Sequence, residues 1–221
     1  MRLIKFLLKF TVYFVLITLA WVGLYGIVPP PITATMLMDD NSITKDWTAF
    51  EEISPDMARA VIAAEDSKFC SHDGFDREAI EQAVKRNAQG GRIRGGSTIS
   101  QQVAKNAFLW QGGGYFRKGL EAYFTFLIET IWSKRRIMEV YLNIAETGIG
   151  TYGVQAGAQR YFKKDAKELT RIEAARIAAA LPLPKKRAVA GASGFTRRYG
   201  NTIAARINVV KRDKLDGCIY K

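Results

Sequence analysis

Nineteen consecutive residues, Phe10 to Val28, carry no charge. As an α-helix rising about 1.5 Å per residue they reach about 28 Å, close to the hydrocarbon thickness of a bilayer. Arg2, Lys5 and Lys9 precede the run, and Asp39 and Asp40 are the first charges after it. The positive-inside rule therefore predicts a cytoplasmic tail over 1–9, a transmembrane helix over 10–28 and the rest of the chain outside. The alternative is a cleaved signal peptide, whose apolar core runs about 7–15 residues to a small-x-small site. Here the run is longer and leads into Pro29-Pro30-Pro31, so an uncleaved single-pass anchor is expected.

The chain has 221 residues, 48% of them hydrophobic, enough for one domain with a proper core plus an appendage. Lys and Arg total 33 against 21 acids, a net charge of +12. Such a surface suits nucleic acid, anionic headgroups or a phosphate-bearing substrate. A basic domain outside the cytoplasm removes nucleic acid from that set. Cys70 and Cys218 are too few for a disulfide framework. An oxidising compartment would let them pair, but nothing in the sequence brings them together, and unpaired thiols are the expectation. A single histidine, His72, and no CxxC leave no His/Cys metal cluster of the usual kind.

Residues 29–53 read as a linker, opened by three prolines and without a strong period. The domain then runs over 54–221. Ser54-Pro55 is a helix start, with Ser as N-cap and Pro at the first helical position, and that helix ends near Asp66. Asp76 caps a second, with Ile80, Ala83 and Val84 inward and Gly90-Gly91 as the stop. Ser97 caps a third. The longest is expected from Tyr115 to Trp132, with Leu120, Tyr123, Phe124, Leu127, Ile128 and Ile131 as its apolar stripe. Ser133 caps the next, and Thr170 to Glu173 is a capping box before an Ala-rich helix that stops at Pro182. A last helix spans about Thr196 to Leu215. Strand signals are nearly absent, so the fold class is all-α, with eight to ten helices and little or no sheet.

Glu65 shares the apolar face of Val61 and Ile62 and sits in the last turn of its helix. Partial desolvation and the helix dipole both raise its pKa, which suits a general base. The bland reading is a carboxylate snorkelling at a helix end. Asp66 can orient a backbone group or a basic neighbour, His72 can shape the loop after Glu65, and Gly74 permits a turn. A second carboxylate, Glu121, has Arg117 and Lys118 one turn before it, the pattern of either a surface ion pair or a cationic site. Ser97 and Thr98 open a helix start that could present hydroxyls and N–H groups to an anion. Gln101, Gln102 and Lys105 place donors over one turn, and Gln102 shares a face with Asn106. Phe108, Leu109, Trp110, Tyr115 and Phe116 form an aromatic cluster, either core or a surface dipping into the lipid interface.

Taken in order, the blocks Ala64 to Asp76, Gly95 to Asn106, Arg117 to Glu121, Ser133-Lys134 and Tyr141-Leu142-Asn143 resemble the monofunctional biosynthetic peptidoglycan transglycosylases, glycosyltransferase family 51. The resemblance covers roughly residues 55 to 185 and implies a lysozyme-like helical fold. It implies an inverting transferase that joins lipid II to a growing glycan chain through β-1,4 links, with release of polyprenyl pyrophosphate, for cell wall synthesis and cell shape. By resemblance Glu65 takes the proton of the acceptor 4-hydroxyl, and Glu121, 56 residues on, is the second acid. Ser97, Gln102, Lys105 and Lys118 are assigned to donor phosphate and sugar; Thr98, Asn106 and Arg117 complete the substrate-binding set, with Asp66, His72 and Gly74 as support. No cofactor is required, although a divalent cation, magnesium or manganese, has a place at the pyrophosphate. The partners implied are lipid II, the growing glycan, membrane lipids and other cell wall synthesis proteins; the location implied is the bacterial inner membrane, with the domain on the periplasmic side. One departure stands out: Gly113 occupies the place where the family usually has a phosphate-gripping arginine. A weaker donor site is expected, and Gly113→Arg is expected to strengthen it.

Two other classes compete. A lytic or hydrolytic muramidase also uses a glutamate, but its leaving group is a sugar hydroxyl and needs no dense cationic site. A membrane-anchored scaffold with a degenerate site has only Gly113 in its favour. Ser42-Ile43-Thr44-Lys45 matches the S-x-x-K of penicillin-type enzymes, but no Lys-Thr-Gly or Lys-Ser-Gly follows, and it is a chance match.

Overall fold

The computed structural model describes residues 1–88 and 96–220. In chain order the elements are α1 (Arg2–Ile27), α2 (Ala34–Leu37), β1 (Thr44–Lys45), α3 (Pro55–Glu65), α4 (Arg77–Ala88), α5 (Ile99–Phe108), α6 (Gly114–Ile131) and α7 (Lys134–Ile144). β2 (Glu146–Gly148), β3 (Thr151–Tyr152), α8 (Val154–Phe162), α9 (Arg171–Ala180) and α10 (Gly194–Arg212) follow. The fold is mostly helical, as the sequence predicts, with one small sheet in the order β1-β3-β2.

Two helical groups make the domain. In one, α3, α9 and α10 pack on each other; in the other, α5 packs on α6 and α7. The alanines of α9 are buried at 174, 175 and 178–180, and their small size lets α3 and α10 approach it closely. In α6, Phe124, Leu127 and Ile128 are buried, whereas Ile131 is exposed, so the stripe is narrower than its period suggests. Tyr115 and Phe116, in the first turn of α6, are 97% and 73% exposed, while Phe108 and Leu109 of the same aromatic cluster are core. At 18 residues α6 is shorter than α1 with 26 and α10 with 19, which corrects the expected ranking. On α4, Ile80 is exposed rather than inward. The inward placement of Val84 and the Gly90-Gly91 stop lie outside the described side chains and residues.

The caps show which local signals survive folding. Thr170 and Glu173 form the expected box, Ser133 accepts from the Arg136 N–H, and Asp76 accepts from the Ala79 N–H. Ser54 precedes α3 as expected, but its hydroxyl donates to the Leu169 carbonyl instead of capping. The cap of α5 is Thr98, in a box with Gln101, and not Ser97.

The 29–53 segment differs from a free linker. Thr44 and Lys45 pair in parallel with Thr151 and Tyr152, and Met36, Phe50 and Ile53 are buried in the main core. α1 is also docked on the domain. Its Val22 carbonyl accepts from Trp132 Nε1 at 2.8 Å, Thr18 bonds the Tyr123 hydroxyl at 2.7 Å, and Arg136 donates to the carbonyls of Tyr25 and Val28. Trp21 packs edge-on against Phe108 and Phe124. Removing residues 1–28 would therefore uncover Phe108, Phe124 and Trp132.

Cys70 and Cys218 form a disulfide, with Cα atoms 5.4 Å apart, which overturns the expectation of free thiols. Chain folding brings residues 213–220 back beneath the loop after α3, a proximity with no local signal. The bond ties that loop to the far end of the chain. Cys70→Ser, or reductant on the native protein, is expected to cost about 2–4 kcal/mol, or roughly 5–15 °C in Tm for a domain of this size. An unchanged Tm in a thermal melt with and without reductant would contradict a stabilising role.

Candidate active site

α3 ends at Glu65 and α5 begins at Ile99, and the two ends meet. Asp66, the C-cap of α3, is buried and accepts from the Ile99 N–H at 3.0 Å. Its carboxylate also bonds His72 Nε2 at 3.0 and 3.1 Å. The Gly74 N–H donates to His72 Nδ1 at 3.1 Å, so the ring, when neutral, carries its proton on Nε2 and gives it to Asp66. Gly74 has φ +85°, and a Cβ there would lie 2.7 Å from Thr125 Cγ2. Lys134 donates to the His72 carbonyl at 2.6 Å and to Glu129 at 2.8 Å. Asp66, His72 and Gly74 thus hold the loop after Glu65 together.

Glu65 is half-buried, and Gln102 Nε2 donates to it at 2.9 Å. The Tyr141 hydroxyl donates to Gln102 Oε1 at 3.3 Å, which turns the amide NH₂ toward Glu65. Burial raises the Glu65 pKa; the Gln102 hydrogen bond and the charge of Arg187 oppose the rise without cancelling it. This is the direction that the apolar face of α3 predicts.

One turn along α5 from Gln102, Lys105 has its pKa lowered, chiefly by burial, with the charge of Glu121 opposing and those of Arg117 and Lys118 adding to the effect. Glu121 is buried, and both its oxygens are taken: Arg117 donates at 2.6 Å and Lys118 makes a close ion pair. Lys118 also reaches Ser97 Oγ at 3.3 Å. The structure therefore brings Glu65, Gln102, Lys105, Glu121, Arg117, Lys118 and Ser97 into one continuous run of contacts and charges. Gln102, Lys105 and Asn106 open onto a cavity of about 410 Å³.

Thr98 does not fit the substrate-binding role. It is buried, its hydroxyl donates to the Gly74 carbonyl at 2.7 Å and it accepts from the Gln101 N–H. Gln101 is buried too, with Oε1 on the Thr98 N–H. The start of α5 is not an open anion site either, because the Asp66 carboxylate already occupies the Ile99 N–H. Sequence reasoning missed Tyr141 as the residue that orients Gln102, and Arg187 as a charge near Glu65. Tyr141 lay inside a recognised block; Arg187 follows the Leu181 to Lys186 turn, whose cations were visible but unplaced.

Gly113 is the N-cap of α6 at φ +81°, and a Cβ on it would stand 2.8 Å from Arg117 Cβ and 3.0 Å from Trp110 Nε1. Arg117 Nε donates back to the Gly112 carbonyl at 2.5 Å. The glycine thus belongs to its backbone, and the expectation that an arginine would simply strengthen the site is corrected. Among the described residues no three His, Cys, Asp or Glu side chains gather where they could hold a metal ion. Among the described residues, Lys105, Arg117 and Lys118 place positive charge at this site.

Comparison with known proteins gives a consistent result. The chain matches the family described as Transglycosylase over residues 32–210. A biosynthetic peptidoglycan transglycosylase of Caulobacter vibrioides is 49% identical over 199 residues, covering 89% of this chain and 87% of the relative. The protein of the same name from Mannheimia succiniciproducens is 52% identical, covering 80% and 76%. One from Escherichia coli is 49% identical, covering 87% and 84%.

Gly113→Arg is expected to lower stability by about 1–3 kcal/mol, the cost of a side chain in a left-handed backbone. Thermal or denaturant unfolding measures it. Equal or higher stability in the variant would show that α6 can start in another conformation.

Proposed function

Because the chain belongs to the transglycosylase family, we propose that it polymerises lipid II into the β-1,4-linked glycan strands of peptidoglycan with release of polyprenyl pyrophosphate. The observation that supports this reading best is a desolvated carboxylate, Glu65, bonded to Gln102 of α5, with Lys105 one turn along α5 and Arg117 and Lys118 of α6 completing a cationic cluster. Glu65 takes the proton of the acceptor 4-hydroxyl. The freed oxygen attacks the donor anomeric carbon as the bond from that carbon to the pyrophosphate oxygen breaks, which inverts the centre. Lys105, Lys118 and Arg117 meet the charge that collects on the departing pyrophosphate. Glu121 acts through the cations it holds, keeping Arg117 and Lys118 aimed at one place. A hydrolytic muramidase would have no use for this cluster, since a sugar hydroxyl leaves by protonation.

The membrane setting follows the same logic. α1 is long and apolar enough to cross a bilayer by length and composition. Docked on α6, it would hold the exposed Tyr115 and Phe116 close to the lipid interface, where aromatic side chains are favoured. The disulfide supports an oxidising compartment, consistent with a domain on the periplasmic side of a bacterial inner membrane.

Purified full-length protein is expected to convert lipid II into long glycan in a gel assay. Glu65→Gln should lower the rate by about 10²-fold or more, the usual contribution of a general base. Near-normal turnover in that variant, or cleavage of preformed glycan in place of synthesis, would contradict the assignment.

The pH profile is a further check. Glu65 must be deprotonated to act, so activity is lost as pH falls through its raised pKa. Lys105 must be protonated, so activity is lost as pH rises through its lowered pKa. The expected kcat/KM profile is a bell whose limbs are both drawn inward from ordinary glutamate and lysine values. An acid limb at the value of a free carboxylate would count against Glu65.

A further inference from the structure

The cavity that Gln102 and Lys105 open onto is also lined by polar groups with no part in the proposed bond exchange. Glu146 opens β2, and its Oε1 is buried without a hydrogen-bond partner. The Lys185 ammonium stands 3.6 Å from that oxygen and is committed at 2.9 Å to Asp39. Asp39 in turn accepts from the Tyr152 hydroxyl at 2.7 Å. Burial raises the Glu146 pKa, with Lys185 and the Gly150 backbone opposing the rise, whereas hydrogen bonds from Tyr152, Asn41 and Lys185 hold Asp39 well below the carboxylate range. Asp39, Glu146 and Lys185 line the same cavity of about 410 Å³ as Gln102, Lys105 and Asn106. Leu181, Pro182 and Pro184 give that cavity an apolar side.

A buried carboxylate oxygen without a donor is unfavourable, and a ligand that brings one removes the penalty. The donor should be neutral. A phosphate would meet two carboxylates, and an ammonium would be placed beside Lys185 and Lys186. A hydroxyl or amide N–H on a ring with an apolar face satisfies every wall. We propose that Glu146, with Asp39 and Lys185, forms a glycan-binding subsite for an N-acetylhexosamine unit, whose hydroxyl or amide N–H donates to Glu146 Oε1. The subsite rests on the transferase reading of the cleft and extends it, holding the chain at a distance from Glu65.

The test is titration of full-length protein in nanodiscs with a peptide-free β-1,4 N-acetylglucosamine tetramer, followed by calorimetry. The native protein should bind the tetramer, and Glu146→Ala should weaken binding by about tenfold or more, the loss of one hydrogen bond to a charged group. Glu146→Gln keeps an acceptor and the side-chain volume and should lose less; it guards against a folding failure of the alanine variant. Equal affinity in all three proteins, or no binding by the native protein, would overturn the proposal. Displacement of the tetramer from the cleft by free stem pentapeptide, with the same dependence on Glu146, would assign the subsite to peptide and overturn it too. The titration needs no turnover. A native protein that binds the tetramer yet fails to polymerise lipid II would therefore contradict the transferase reading alone.

Discussion

The Asp66 carboxylate is the joint on which the candidate site depends. It closes the end of α3, occupies the first N–H of α5 and fixes His72, all from a buried position. Hydrogen bonds to a charged group contribute about 1.5–3 kcal/mol each, and the positive end of α5 adds to the attraction. With Asp66 in place, Glu65 falls opposite Gln102, and the α3–α9–α10 group is registered against the α5–α6–α7 group. Lys134 and the disulfide hold the same loop from below.

The two acids have been given opposite surroundings. Glu65 loses water, so its proton affinity rises, and the single neutral donor it gains from Gln102 only partly offsets the rise. Glu121 is buried under two cations and serves as their counter-charge. Lys105 lies between them and is itself partly desolvated, which strengthens its interaction with any anion that enters. On α5, Gln102, which bonds Glu65, and Lys105, which feels the charge of Glu121, are one helical turn apart. The apolar helix α1, long enough to cross a bilayer, packs on α6 beside this arrangement.

Much of this was legible in the sequence, and the failures have a common form. The Thr170 box, the Ser133 and Asp76 caps and the apolar face behind Glu65 are local signals, and no tertiary contact competes with them. Ser97 was misread as the cap of α5, and Ser54 holds the N-cap position of α3 without its side chain capping, because tertiary partners take the hydroxyls. The Leu169 carbonyl takes the Ser54 hydroxyl, and the Gly74 carbonyl draws in Thr98. The segment 29–53 looked featureless because its two-residue strand pairs with residues more than a hundred positions away. The Cys70–Cys218 bond and the Asp39–Glu146–Lys185 group are equally non-local. Gly113 was read as a lost arginine, although the positive φ it must adopt is a property of the α6 start that composition does not display.

The most direct measurement is the titration of the Glu65 carboxyl carbon by ¹³C NMR in the native protein and in Asp66→Ala. The joint predicts a native pKa above the ordinary glutamate value of about 4.3, moving back toward it in the variant as water reaches Glu65 and a neighbouring negative charge is lost. A native Glu65 that titrates as a free carboxyl, or one whose titration ignores the loss of Asp66, would contradict the account.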